Sequence, residues 1–191
     1  MSPRSKKQIE ELKEVKRKLI MNSALELFAD YGYHGTSINM IAKKAGIAKG
    51  LIYTYFENKE SLIKELVLGG IEEFSDIFDP NNDGVLTEEE FEFFVNESFK
   101  LLESNMKFWR LYFVLVMKKE IIEMFGDKFK EFTSPFINIL TDYYKRKNHA
   151  NAEAEALLLC SVMDGVSLNF LMDPENFPLH KVKELIINKF K

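Results

Sequence analysis

Apolar residues recur at helical spacing along this chain, and the clearest short period lies at residues 36–59, where Ile38, Ile41, Ala42 and Ala45 form one stripe at i, i+3, i+4 and i+7. Thr36 or Ser37 can cap that helix. Gly46, which has no Cβ to strain a left-handed turn, stands where the helix must stop. A second short helix is expected from about Ala48 to Phe56, locked to the first by Ile47, Ile52 and Phe56. Its other side presents Lys49, Gly50, Tyr53, Thr54 and Tyr55. Two short helices joined by a tight glycine turn make a helix-turn-helix, whose second helix enters the DNA major groove.

The same periodicity extends the reading in both directions. A first helix is expected from about Ile9 to Tyr31, with Val15, Leu19, Ala24, Leu27, Phe28 and Tyr31 on its inner face. Lys13, Lys16 and Arg17 then face solvent, and Gly32 ends the helix. Before it, residues 1–8 are a polar, basic arm; Arg4, Lys6 and Lys7 either reach a groove or phosphate or remain a solvated tail. Asn58 can cap a fourth helix that starts at Lys59 and turns Leu62, Ile63 and Leu66 inward. Exposed N–H groups at that start, with the charge of Lys59, suit a phosphate. Gly69 and Gly70 interrupt the pattern, either to loosen the helix into a joint or to let another helix pack closely.

From Phe91 to Lys147 the chain reads as helical and aromatic, and 15 of its 17 phenylalanines lie beyond residue 64. Gly126 and Pro135 punctuate this stretch, and Ser104 or Asn105 can cap a helix within it. Phe94, Trp109, Tyr112, Phe113, Met117, Phe132 and Phe136 could line a pocket for a flat or greasy ligand, or simply fill a core. Two final helices are expected, about Asn151–Met172 and Leu179–Phe190, separated by DPENFP. Small residues interleave Leu157, Cys160, Ser161, Asp164, Gly165, Leu168 and Leu171 on the former, while Val182, Ile186 and Ile187 give the latter an apolar face.

Composition alters this picture in one respect. The 191 residues are 46% hydrophobic and 29% charged, ordinary for a soluble globular protein, and the net charge of −4 looks wrong for a DNA binder. Residues 1–64, however, carry 12 Lys and Arg against 7 Asp and Glu, and residues 65–191 carry 14 against 23. A basic front of +5 and an acidic back of −9 suit a protein that meets phosphate with one end only. No apolar run approaches the roughly 18 residues of a membrane span, and no signal peptide precedes the first helix, so a cytoplasmic location is expected. The single cysteine, Cys160, agrees with a reducing compartment.

Three stretches, ALELFADYGYHGTSI, IAKKAGIAKGLIYTYF and ENKESLIKEL, together resemble the DNA-binding domain of the TetR family of transcriptional repressors over residues 17–66. The resemblance implies an all-α protein: a three-helix helix-turn-helix domain at 9–58, then a larger helical regulatory and dimerisation domain at 59–191. It implies a homodimer whose last two helices pair with their copies, a palindromic double-stranded DNA operator, and a small apolar or aromatic inducer. By position in the motif, Ser37, Asn39, Lys49, Gly50, Leu51 and Thr54 meet bases or nearby phosphates, and Tyr53, Tyr55 and Lys59 hold the backbone. Leu51 departs from the small or hydroxylic residue commoner there and offers only apolar contact, such as to a thymine methyl.

One stretch belongs to a different pattern. Residues 79–90, DPNNDGVLTEEE, satisfy the calcium-loop motif, with Asp79, Asn81 and Asp83 at positions 1, 3 and 5, Gly84 at 6 and Glu90 at 12. The Val85 carbonyl and a water near Thr87 could complete the ligand set, and residues 71–99 resemble an EF-hand. The same letters also make a helix-loop-helix joint, since Pro80 breaks the incoming helix, Asp83-Gly84 favours a turn, and Thr87 with Glu90 forms a capping box. No second loop of this kind occurs in the chain. A calcium sensor or buffer with an incidental helix-turn-helix is the competing reading, but one unpaired loop does not account for residues 17–66. No catalytic residue is assigned: His34, His149 and His180 are scattered, and Cys160 has no basic neighbour in sequence. An enzyme is not expected, and no cofactor is required, with Ca²⁺ the one candidate ion.

Overall fold

The computed structural model describes residues 6–191, apart from the side chains of Lys6, Ile9, Ser75 and Asp76; of the expected basic arm, residues 1–5 with Arg4 lie outside that range, whereas Lys6 and Lys7 already belong to the first helix. Nine helices and no strand occur among the described residues. They are α1 (Lys6–Gly35), α2 (Ile38–Ala45), α3 (Lys49–Ile52), α4 (Lys59–Phe78), α5 (Glu88–Ser104), α6 (Met106–Val116), α7 (Lys119–Arg146), α8 (Ala152–Met172) and α9 (Leu179–Phe190). The all-α expectation therefore holds. The chain divides into two compact units: residues up to Leu68 with Val114–Met124, and Gly69–Phe113 with Phe125–Lys191.

In the first unit, α1 buries Ile20, Ala24, Leu25, Leu27, Phe28 and Ala29. The face expected from the sequence is only half right, because Val15 and Tyr31 are 64% and 61% exposed and Leu19 is exposed too. Periodicity tells which residues share a face, not whether anything covers it, and among the described side chains of α1 the first buried one is Ile20. Gly32, at φ 73° and ψ 175°, breaks the helical path, which resumes for a last turn to Gly35. Thr36 does not cap α2; it is buried, and its hydroxyl donates to the carbonyls of Leu27 and Gly32 at 3.0 and 2.8 Å. Ser37 is the cap, accepting the Met40 N–H at 3.3 Å. Gly46 closes α2 in the left-handed conformation at φ 64°, and Ile47 N–H returns to the Ala42 carbonyl at 3.0 Å.

The second short helix is regular only over Lys49–Ile52, and residues 53–55 continue it as tighter turns in which Thr54 and Tyr55 N–H donate to the Leu51 and Ile52 carbonyls. Ile52 and Phe56 are nonetheless buried with Ile38, Ile41, Ala42 and Ala45, as the stripe requires. Asn58 caps α4 by accepting Ser61 N–H at 2.8 Å, and the Ser61 hydroxyl oxygen accepts Asn58 N–H at 3.1 Å in return.

Gly69 and Gly70 do not interrupt α4, which runs through both to Phe78. Gly70 is a packing position: a Cβ there would collide with the Tyr112 ring, whereas one at Gly69 would meet nothing within 4 Å. The second unit is built around rings. Phe78 stands 5.0 Å from Phe94 and 4.0 Å from Phe136, Phe91 stacks on Tyr143 at 5.6 Å, and Trp109 meets Phe74 edge-on at 5.1 Å. Gly126 and Pro135, expected to punctuate helices, both lie inside the 28 residues of α7. Pro135 is exposed, while buried Phe125, Leu140, Tyr143 and Tyr144 hold the helix on its other side. Asn105 rather than Ser104 caps α6, its Oδ1 accepting Phe108 N–H at 3.3 Å.

Candidate nucleic-acid interface

The exposed side of the helix-turn-helix consists of few residues. Ser37 and Asn39 stand at the start of α2, and Lys49, Gly50, Tyr53 and Thr54 are exposed along and just after α3, with Leu51 and Tyr55 half-buried. A Cβ at Gly50 would meet nothing within 4 Å, so this spot is open to a close approach from outside. The Thr54 hydroxyl donates to the Leu51 carbonyl at 2.7 Å, which fixes its direction. Of the α2 lysines, Lys44 is tied to Glu26 at 2.5 Å, a bond that raises its ammonium above the usual lysine range.

Two cations expected at the surface turn inward. Lys59 is half-buried, with its Nζ 2.7 Å from the Tyr33 carbonyl, 2.9 Å from the Thr36 carbonyl and 4.1 Å from the centre of the Tyr33 ring. Burial pulls this ammonium below the usual lysine range, against an opposing pull from Glu120. The Asn58–Ser61 cap likewise occupies the α4 N-terminus where a phosphate was expected. Arg17 pairs with Glu65 of α4 and stands 5.6 Å over the Phe56 ring, so it braces the unit instead of facing solvent. Sequence reasoning missed Glu120 altogether. Its carboxylate accepts the Tyr33 N–H from 87 positions along the chain, and no local pattern announces a contact of that range.

The turn at 79–90 is closed by its own polar groups. Asp79 accepts the N–H groups of Asp83 and Gly84 at 3.3 and 3.0 Å, Asn81 accepts Asp83 N–H at 3.0 Å, and Asp83 accepts Val85 N–H at 2.8 Å. Gly84 has φ 73°, the conformation its place in the loop demands. Thr87 and Glu90 form the reciprocal capping box of α5. Asn81 Nδ2 donates to Asp83 Oδ2 at 3.2 Å and to Glu90 Oε1 at 2.9 Å. Among the described residues no group of three or more His, Cys, Asp or Glu is gathered closely enough to hold a metal.

Of the ring-lined pocket set, Phe94, Trp109 and Tyr112 are buried in the second unit, and Phe113, Phe132 and Phe136 are half-buried there. Met117 leaves the set: it is 72% exposed and belongs to the first unit. Burial pushes the Cys160 thiol up to about 12, which makes it a packing residue and a poor nucleophile. Among the described residues one helix, α8, is long and apolar enough to cross a membrane by length and composition alone, a test that the core helix of a soluble protein also passes. Its exposed apolar side chains are Leu157, Leu158, Leu168 and Met172, and Leu185 is exposed on α9.

The first unit holds a helix-turn-helix, and comparison with known proteins shows what that region is similar to. Residues 20–66 match the model described as bacterial regulatory proteins, tetR family. The amino-terminal region is thus similar to the helix-turn-helix domain of that family. It is 47% identical over 47 residues to the fatty acid metabolism regulator protein of Bacillus subtilis, a match covering 25% of this chain and 24% of that protein. It is 43% identical over 51 residues to the regulator YhgD of the same organism, covering 27% of each. These matches thus span about a quarter of the curated relatives. Over 92% of its length the chain has a fold similar to that of the fatty acid degradation regulator FadR from Bacillus halodurans, at a TM-score of 0.70 and 24% identity, covering 94% of that one. It is also similar to FadR from Bacillus subtilis solved in complex with stearoyl-CoA, at a TM-score of 0.63 and 21% identity over 91% and 96%.

Proposed function

We propose that this chain is a cytoplasmic, dimeric transcriptional repressor that reads a palindromic operator and releases it when a long-chain acyl ligand occupies the second unit. One observation carries the DNA-binding part: Lys49, Gly50, Tyr53 and Thr54 stand exposed on the second helix of a TetR-family helix-turn-helix. Ser37, Asn39 and Leu51 complete the base-facing set, and Tyr55 supports the backbone contacts. Lys59 acts indirectly, since its ammonium is committed to the Tyr33 and Thr36 carbonyls. The exposed leucines of α8 and α9 supply a face for the second copy, which puts two recognition helices about one turn of DNA, ~34 Å, apart. The ligand class rests on the aromatic interior and on the likeness to fatty acid regulators, one of them solved with stearoyl-CoA. Such a ligand releases DNA by favouring a state in which the two heads no longer fit adjacent grooves.

Selection from a random-sequence duplex pool tests this reading. The full chain should enrich an inverted repeat with half-sites about one helical turn apart, and affinity for it should fall roughly a thousandfold between 50 and 200 mM salt. Stearoyl-CoA should release the selected duplex. No enrichment at low salt would overturn the DNA-binding assignment, and release by no acyl ligand would overturn the inducer class alone.

A second reading, calcium binding at residues 79–90, is favoured by the Asn81 amide nitrogen, which bridges the Asp83 and Glu90 carboxylates as a small cation would. Half a turn of that amide replaces the nitrogen with an oxygen. Asp79, Asn81, Asp83, the Val85 carbonyl and Glu90 then offer the hard oxygen ligands calcium takes. Titration calorimetry with calcium chloride should give a dissociation constant on the order of 10⁻⁵ to 10⁻³ M, lost in both Asp79→Ala and Glu90→Gln. The glutamine preserves the capping box, so a lost heat there reports the charge and not the helix start. An absent heat, or one unchanged in both variants, sinks this reading.

A further inference from the structure

The peptide unit of Tyr33 is held from both ends by side chains far away in sequence. Its N–H donates to the carboxylate of Glu120 in the first turn of α7, and its carbonyl accepts from Lys59, the first residue of α4, at 2.7 Å. Glu120 fills the space beside Gly32, where a Cβ would stand 2.6 Å from its Oε1; any side chain there would push it away. Lys59 continues to the Thr36 carbonyl at 2.9 Å, and α2 begins two residues later at Ile38. Leu115 and Ile121, both fully buried, anchor the 114–124 segment within this first unit. Both α4 and α7 run on from this unit into the residues of the second.

We propose that Glu120 is a positioning residue for the DNA-binding helices: it fixes residues 32–36 to the start of α7, while Lys59 fixes the same residues to the start of α4. The inference rests on the DNA-binding reading and adds to it a second connection, through α7, beside the one α4 makes. A shift of either helix start relative to the other moves the Tyr33 peptide, and with it α2 and α3. Coupling of this kind is reciprocal, so DNA bound at α3 must be felt at the first turn of α7. No inducer is needed to detect that.

The test is amide hydrogen exchange on the full chain, free and bound to the duplex it selects. In the wild type, duplex should slow exchange at residues 119–123 severalfold. In Glu120→Ala, the free protein should exchange the Tyr33 amide at least tenfold faster, and duplex should no longer protect 119–123. Glu120→Gln keeps an oxygen acceptor and should restore both signals, which a general loss of packing would not do. A wild type that binds duplex with no change at 119–123 overturns the proposal without any variant, as does a Tyr33 amide unaffected by Glu120→Ala. Failure to select any duplex sinks the DNA-binding reading instead, and the Tyr33 exchange rates in the free variants then still decide whether Glu120 holds the loop.

Discussion

Replacing Tyr53 or Lys49 with alanine should weaken binding to the selected duplex by about a hundredfold or more at fixed salt. Each side chain is exposed at the end or the start of the recognition helix, and a lost contact to phosphate or base costs about 1–3 kcal/mol. In the proposed dimer both heads carry the change, so the cost is incurred twice. Lys49→Ala should also flatten the dependence on salt by about one unit of slope per head, because an ammonium no longer displaces a counterion. Tyr53→Phe separates the hydroxyl from the ring. Titration by fluorescence anisotropy reads all three, and circular dichroism should find their melting unchanged. Affinities equal to the wild type in both alanine variants would place the interface elsewhere.

Trp109→Ala should destabilise the protein by about 3–5 kcal/mol, the range for removing a large buried ring. Trp109 is 1% exposed, its indole N–H donates to the Leu101 carbonyl at 3.1 Å, and Phe74, Phe108 and Tyr112 meet it within 5.4 Å. Trp109→Phe keeps most of the area and loses the hydrogen bond, so its cost should be clearly smaller. As the chain has one tryptophan, calorimetry or circular dichroism must follow the melting. The measurement also decides between the two readings of the aromatic stretch. A full loss marks a filled core at this position. A loss under about 1 kcal/mol would mean that the ring lines a space open to a ligand.

Local chemistry was legible wherever a short stretch settles its own hydrogen bonds. Ser37, Gly46, Asn58 and the Thr87–Glu90 box each close a helix end using partners a few residues away, and each stands in the structure as its letters imply. Glycine and proline misled where tertiary packing outweighs propensity: Gly69, Gly70, Gly126 and Pro135 all lie inside long helices whose apolar faces are buried. Charge was the least legible property. Arg17 and Lys59 share the composition of any basic surface, yet one pairs with Glu65 and the other supports two carbonyls.

The amino-acid sequence by itself therefore determined the helical class, the helix-turn-helix with its exposed Lys49 and Tyr53, and the capped turns, because spacing and cap chemistry act over a few residues. Only the tertiary structure decided that α1 leaves Val15 and Tyr31 uncovered, that Met117 is exposed and belongs to the first unit, and that Glu120 holds Tyr33. Those outcomes depend on which distant segment arrives beside a residue. That is settled by the packing of whole helices, and no single stretch of letters encodes it.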